Sequence, residues 1–429
     1  MFLIKEHLPG GGKMRRNAVA VAVGALFIAP AAQAQIVFGN DTIGTVQFYG
    51  KLYPQFMYGT SKGATQPGDS VSTLVSTSEV LTGSAVTENG ARWAVDTQNS
   101  YLGFRGERGL GAGGLKAIWQ IESSVNFENP GTTGSGFSTR NSFVGLRNNW
   151  GTVKLGNFDT VYKEYGDTFQ MFGVSSGNFV SASNVLSHIG IGNNSAGRFH
   201  ERRTNSLQLE SAQFSGFTAA FQYSPDETKG DAGTNLNANL YSYGVKWESG
   251  PFYVSVQQER HNDFFGGSKN IPAASLKNDS TAGAHSRDVA TRLSAEYRIG
   301  KHRLVGDLAR LEYKERGQAA GTKFESYKHT NWAIGWEARW GGPWRTAVQY
   351  VVGGEGTCTL TVGSCSTTGL KGSMLNFGVA YTLDRQTFLY ALAGKLTNGS
   401  AALYDNWAAS SPQRGADITQ AALGVSYIF

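Results

Sequence analysis

The residue types that most often carry catalysis or bind metals are not grouped in this chain as either chemistry requires. His188 and His200 occur in one long polar stretch, but no cysteine or further histidine stands at metal-ligand spacing from them. The glycine run 109–114 resembles a phosphate-binding loop, yet it lacks the following Lys-Ser/Thr pair and joins two predicted strands. Neither a nucleophile elbow nor a zincin motif occurs. The sequence therefore predicts no enzyme, no cofactor and no metal site.

The amino terminus has the features of an export signal. Lys13, Arg15 and Arg16 precede an apolar run over about 18–29, and Ala32-Gln33-Ala34 provides the small-x-small pattern of a signal-peptidase site. The run is too short to cross about 30 Å of hydrocarbon as a helix. We therefore predict a signal peptide over 1–34 and one mature domain over 35–429.

The charge of the mature chain does not indicate a nucleic-acid partner. The formal net charge is +6 over all 429 residues, and the predicted leader contributes half of it, because it holds four basic residues and one acidic residue. The remaining lysines and arginines are scattered along the chain, whereas nucleic-acid binding requires them clustered on one face.

Cys358 and Cys365 are the only cysteines, with six residues between them. Because exported proteins meet an oxidising compartment, we predict a disulfide that closes the long loop containing them. Loop closure of this kind adds at most about 2–3 kcal/mol. A redox pair or a metal site would need a low-pKa environment or further ligands, and the sequence shows neither.

Apolar and polar residues alternate along most of the chain, and no segment after the leader approaches 18 consecutive apolar residues, so membrane helices are not predicted. In 330–340 the tryptophans share one face, while Glu337 and Arg339 share the other. Charges on that second face suit a water-filled lumen better than a packed core, although a soluble sandwich with a solvated face would also alternate. The pattern predicts about sixteen strands, centred near residues 44–58, 92–106, 114–126, 139–148, 151–158, 204–214, 216–224, 240–248, 251–260, 287–299, 301–313, 328–340, 343–353, 373–382, 386–395 and 418–429.

The connections between these strands are short and long in alternation. Seven tight turns, such as Ser215-Gly216 and Gly300-Lys301, separate eight long polar loops. Outer-membrane barrels have this asymmetry, with short periplasmic turns and long external loops. The sequence therefore predicts an all-β fold, a 16-stranded antiparallel transmembrane β-barrel.

Several motifs resemble those of general diffusion porins of Gram-negative outer membranes, the trimeric 16-stranded porins. They are Tyr49-Gly50-Lys51, the segments 101–107, 139–146 and 151–157, Tyr165-Gly166-Asp167 and the terminal Phe429. The resemblance spans the mature chain, with its specific motifs in the first third. It implies a passive water-filled channel for small hydrophilic solutes and ions in the outer-membrane lipid. It also implies a homotrimer whose second loop (127–138) reaches a neighbouring subunit.

The resemblance further implies a pore constriction, made by an inward-folded third loop (about 159–203) opposite a ladder of basic side chains. Lys51 and Arg140 match two ladder positions, and one of Arg198, Arg202 and Arg203 matches another. Tyr101 stands where many relatives have arginine, and Glu122 matches a carboxylate of the wall. Each basic residue has an alternative interpretation as a solvated side chain or as a partner of Glu122.

On the loop side the family usually presents two carboxylates. Asp167 matches one of them, whereas the second position falls near Met171 and is lost unless Glu164 or Asp159 substitutes for it. Since charged side chains at a constriction set ion selectivity, the sequence predicts a preference for anions that salt screening keeps modest. Two other classes are alternatives: a substrate-specific outer-membrane channel for phosphate, organic acids or sugars, and a barrel enzyme such as a lipase.

Overall fold

A computed structural model describes residues 36–40, 42–75, 90–127, 139–192, 198–225, 237–264, 271, 275, 277–279, 283–407 and 412–429. The predicted signal peptide and nearly all of the predicted second loop lie outside these residues.

The described residues form twenty antiparallel β-strands joined in one sheet. They are β1 (Ile36–Asn40), β2 (Gly44–Leu52), β3 (Gln55–Lys62), β4 (Arg92–Asp96), β5 (Tyr101–Gly109), β6 (Lys116–Ser124), β7 (Ser142–Asn148), β8 (Gly151–Asp159), β9 (Arg202–Ser211), β10 (Phe217–Pro225), β11 (Asn239–Ser249), β12 (Phe252–Asn262), β13 (His285–Ile299), β14 (His302–Arg316), β15 (Phe324–Arg339), β16 (Trp344–Gly353), β17 (Thr357–Leu360), β18 (Gly372–Thr382), β19 (Thr387–Asn398) and β20 (Asp417–Ile428).

The wall of the barrel consists of sixteen strands, because β2 continues into β3 and β4 continues into β5. Tyr53-Pro54 interrupts the first of these long strands, where the proline lacks the N–H that a ladder requires. The barrel closes where β20 pairs with β3, from Asp417 opposite Lys62, and with the end of β2. The predicted 16-stranded antiparallel barrel is confirmed. The sequence missed two short strands outside this count, β1, which pairs with β2, and β17, which pairs with β15.

The two faces of the wall differ as the alternation predicts. Apolar side chains such as Val144, Leu155 and Leu423 are exposed on the outer face. Polar side chains such as Gln208 and Ser294 alternate with them and are buried on the inner face. A closed sheet satisfies its backbone hydrogen bonds internally, so this outer face is suited to lipid.

The third loop, bounded in the structure by β8 and β9, contains the helices α1 (Val161–Gly166) and α2 (Ser183–Leu186) and a 3₁₀ turn, Met171–Gly173. Thr160 caps α1, since its side chain accepts a hydrogen bond from the Lys163 N–H. None of the helices in the described residues is long and apolar enough to cross a membrane.

Side chains from the inner face of the wall bind the backbone of the third loop. Ser242 of β11 accepts a 2.8 Å hydrogen bond from the Tyr162 N–H, and Ser255 of β12 donates one of 2.9 Å to the Tyr165 carbonyl. Farther along the loop, the Asn331 amide of β15 donates to the carbonyls of Val185 and Leu186, at 3.1 and 3.2 Å. These hydrogen bonds attach the backbone of both helices of the third loop to the inner face of the wall.

Three external loops contact one another in what we call the loop cover, comprising residues 64–75 of the first loop, 354–371 of the seventh and 399–407 of the eighth. The Thr73 N–H donates to the Ser366 carbonyl at 3.1 Å, and the Thr65 hydroxyl donates to the Ser400 carbonyl at 2.6 Å. A disulfide joins Cys358 and Cys365 in the seventh loop, with their Cα atoms 5.6 Å apart. The first loop therefore rests on a segment that a covalent bond constrains.

Candidate pore constriction

A cavity of about 890 Å³ lies between the wall and the edge of the third loop. Six of the eight residues predicted for the constriction line it: Lys51, Tyr101, Glu122, Arg140, Asp167 and Arg202. The other two point elsewhere. Arg198 pairs with Glu201, and the Arg203 guanidinium lies 4.1 Å from the centre of the Phe264 ring. Of the three arginines predicted for this ladder position, Arg202 is therefore the one that lines the cavity.

Arg140 is positioned by an aromatic ring and a carboxylate of the adjacent strands. Its guanidinium lies 4.8 Å from the centre of the Tyr101 ring, and its Nε is 3.7 Å from a Glu122 oxygen. The Tyr49 hydroxyl donates a 2.8 Å hydrogen bond to the same carboxylate. Tyr101 therefore supports Arg140 through a cation–π contact.

Lys51 connects the wall to the edge of the third loop. Its ammonium group donates a hydrogen bond to the Gly173 carbonyl and lies 4.8 Å from the centre of the Tyr53 ring. Only 6% of the residue is exposed. Lys51 therefore joins the wall to the loop edge and holds that edge in place.

Two carboxylates that line the cavity, those of Asp159 and Asp167, have basic neighbours. Asp159 lies 2.9 Å from Arg202 and 3.1 Å from Lys163. Burial raises the pKa of the Asp167 carboxyl, but the nearby His200 and the charge of Arg292 outweigh burial and lower this pKa below its usual value. Asp167 is therefore ionised at neutral pH.

The second loop carboxylate that the resemblance implies falls near Met171, which is apolar. Met171 is fully buried and does not line the cavity, whereas Asp159 and Glu164 do. Both candidate substitutes, Asp159 and Glu164, therefore line the same cavity as Asp167.

The far wall of the cavity contributes charges that the sequence analysis did not assign to the pore. These include Arg303, Glu337, Arg339 and Arg345 of β14, β15 and β16. The alternation did predict which face of the strand carries them, since Glu337 and Arg339 lie on the predicted polar face. Which strands lie opposite the third loop depends on how the loop docks, and no local pattern encodes that. Among the described residues, ten lysines and arginines and six acidic residues line the cavity.

The described residues contain no group of three or more histidine, cysteine or acidic side chains that could hold a metal ion.

The loop edge packs on a glycine of the wall, and this contact allows a test of the loop position. A Cβ atom at Gly378 would lie 2.7 Å from the Phe172 ring and 2.8 Å from the Met171 sulfur. We expect Gly378→Val to cost about 1–3 kcal/mol through overpacking and to push Phe172 towards the cavity. Single-channel conductance in KCl should then fall.

Gly306→Val is the matched control, because a Cβ atom there would meet nothing within 4 Å. An equal loss of conductance in both variants would contradict this account of the loop edge.

A closed barrel with an apolar outer face, a polar inner face and a charged cavity defines a transmembrane β-barrel protein. The family described as Gram-negative porin matches residues 18–401. The chain belongs to this family, which confirms the resemblance, and it is a β-barrel protein of the Gram-negative outer membrane.

Relatives in Neisseria share part of the sequence. Major outer membrane protein P.IB of Neisseria lactamica is 27% identical over 237 residues, which cover 54% of this chain and 61% of that protein. The Neisseria gonorrhoeae protein of the same name is 30% identical over 199 residues, covering 46% and 49%. The chain thus spans about half the length of the curated relatives it matches.

Solved structures share the fold over nearly the whole chain. The anion-selective porin from Comamonas acidovorans has a TM-score of 0.64 at 20% identity, over 90% of this chain and 99% of that one. OmpT of Vibrio cholerae has a TM-score of 0.59 at 14% identity, over 92% and 99%. At these identities the likeness concerns the fold alone.

Proposed function

We propose that this porin is a passive, water-filled channel for small hydrophilic solutes and ions, with a modest preference for anions. Solutes pass down their own gradient, and no bond is made or broken. The observation that carries the proposal is the cavity at the loop edge, where ten basic side chains face six acidic ones. An excess of positive charge around a narrow aqueous path raises the local concentration of anions. The anion selectivity named for the Comamonas acidovorans porin agrees with this sign.

In the proposed channel the third loop folds into the lumen and narrows it. Lys51, Arg140 and Arg202 form the basic side of the constriction, supported by Tyr101, while Glu122 and Asp167 oppose them. The hydrogen bonds from Ser242, Ser255 and Asn331 to the loop backbone support a fixed constriction rather than a mobile one.

We further propose that the exported chain assembles as a homotrimer. A trimer form of OmpT from Vibrio cholerae shares the fold, with a TM-score of 0.57 at 14% identity. Chemical crosslinking of the detergent-extracted protein, followed by electrophoresis without heating, measures the number of subunits.

The test of the channel is the zero-current potential of the purified protein in a planar bilayer under a KCl gradient. A unit charge about 4–8 Å from an ion in a water-like medium contributes about 0.5–1 kcal/mol. We therefore expect Arg140→Ala to lower the chloride-to-potassium permeability ratio about two- to fivefold. Asp167→Asn should raise it by a similar factor, because it removes a negative charge.

Arg147→Ala is the control, since Arg147 pairs with Glu107 and does not line the cavity. Conductance with an unchanged ratio in Arg140→Ala and Asp167→Asn would retain the channel and reject the assigned constriction. Absence of conductance in the unaltered protein would reject the proposed function itself.

A further inference from the structure

Arg345 of β16 stands between two aromatic rings on the far wall of the cavity. Its guanidinium carbon lies 4.4 Å from the centre of the Phe388 ring and 5.3 Å from the centre of the Phe172 ring. All three residues line the cavity. A guanidinium flanked by rings is held in a fixed plane and partly stripped of water.

This guanidinium has an unused hydrogen-bonding group. Its Nε is buried and has no hydrogen-bond partner among the described residues. The Glu337 carboxylate, which lines the same cavity, accepts a hydrogen bond from the Phe172 N–H at 3.4 Å and lies 4.0 Å from Arg303. In the part of the chain that the structure describes, Arg345 therefore lines the cavity as a cation without an ion pair.

A second cation lies on the other side of the same loop edge. Lys51 binds the Gly173 carbonyl, and Gly173 directly follows Phe172, which contacts Arg345. Lys51 and Arg345 both line the same cavity. Basic groups that line one cavity favour an anion within it.

The chemistry around Arg345 selects one kind of anion. A guanidinium pairs with a carboxylate through two parallel hydrogen bonds, which chloride cannot form. The rings of Phe172 and Phe388 beside it offer an apolar surface to the remainder of the ligand. We propose that Arg345, Lys51, Phe172 and Phe388 form a weak binding site for small monocarboxylates with an aromatic or apolar body. This site rests on the proposed channel function and specifies which anions the channel favours.

Benzoate is the probe, and acetate is its control because it has the same charge without the ring. In the unaltered protein in a planar bilayer, millimolar benzoate should reduce the chloride conductance at concentrations where acetate does not. Since a hydrogen-bonded charge pair is lost, Arg345→Gln should raise the half-inhibitory concentration of benzoate about tenfold. Arg345→Lys keeps the charge but loses the planar fork that pairs with a carboxylate, so it should also raise the half-inhibitory concentration of benzoate.

Arg385→Gln is the matched variant, because it removes one positive charge from the same cavity, whereas the cation–π contacts of Phe172 and Phe388 are made by Arg345. An equal rise in the half-inhibitory concentration in Arg345→Gln and Arg385→Gln would overturn the site and leave only a general effect of charge. Normal conductance without any effect of benzoate would also overturn the site while leaving the channel intact. A protein without conductance would overturn the channel function, and the site with it.

Discussion

Replacing Arg292 by leucine is expected to destabilise the protein by about 3–5 kcal/mol, because it leaves a buried carboxylate without its partner. Arg292 of β13 and Asp307 of β14 lie 2.9 Å apart, and each side chain is only 2% exposed. Ser294 donates a further hydrogen bond of 2.5 Å to the same Asp307 oxygen. The pair lies directly beneath α1, since a Cβ atom at Gly166 would lie 3.1 Å from the guanidinium. The substitution should therefore also loosen α1 on the inner wall.

The measurement is urea unfolding of the detergent-solubilised barrel, followed by circular dichroism. Asp307→Leu should be similarly destabilising, because it leaves the arginine unpaired. The double variant Arg292→Leu/Asp307→Leu should lie close to the unaltered protein, since apolar replacement of both partners of a buried pair is often neutral. If the double variant loses as much stability as the two single variants together, the pair is not the cause.

The second large effect is expected at Tyr404 of the eighth loop, which occupies a recess lined by three glycines. Cβ atoms at Gly190, Gly353 and Gly372 would lie 2.3, 2.4 and 2.4 Å from its side chain, and the residue is fully buried. Gly190 belongs to the third loop, and the other two belong to the strands β16 and β18. Tyr404→Ala should cost about 3–5 kcal/mol, as for other buried aromatic side chains. It should also free the end of the third loop.

Limited proteolysis of the native protein, with the cleavage sites identified by mass spectrometry, reports this release at the third loop. Tyr404→Phe is the matched control, because the Tyr404 hydroxyl has no hydrogen-bond partner among the described residues. Its removal keeps the ring and should change neither stability nor cleavage. A loss in Tyr404→Phe equal to that in Tyr404→Ala would show that the ring in its recess does not hold the loop.

The wall of the barrel was predictable because the alternation of apolar and polar residues within each strand identifies its outer and inner faces. In β15 the predicted apolar face contains Trp332, which is exposed on the outer side, and the predicted polar face contains Glu337, which is buried on the inner side. The departures have local causes, such as the break at Tyr53-Pro54, where a ladder hydrogen bond cannot form.

The candidate constriction was predictable only on one side. Lys51 and Arg140 lie in motifs that resemble those of the family, and both line the cavity. Arg345 carries no such pattern, and its role depends on Phe172, which approaches from a loop that is 173 residues away in sequence. Long-range docking of this kind is decided by packing, which neither alternation nor spacing records.

The loop cover has a consequence for the order in which the molecule is built. Its hydrogen bond between Ser366 and Thr73 joins residues 293 positions apart, and that between Thr65 and Ser400 joins residues 335 positions apart. Contacts of such long sequence separation form late, after the intervening chain has paired. An antibody that recognises the first and seventh loops in contact would therefore bind folded barrels. It would not bind chains in which β20 has not yet paired with β2 and β3. The loop cover is thus a marker of the completely folded barrel.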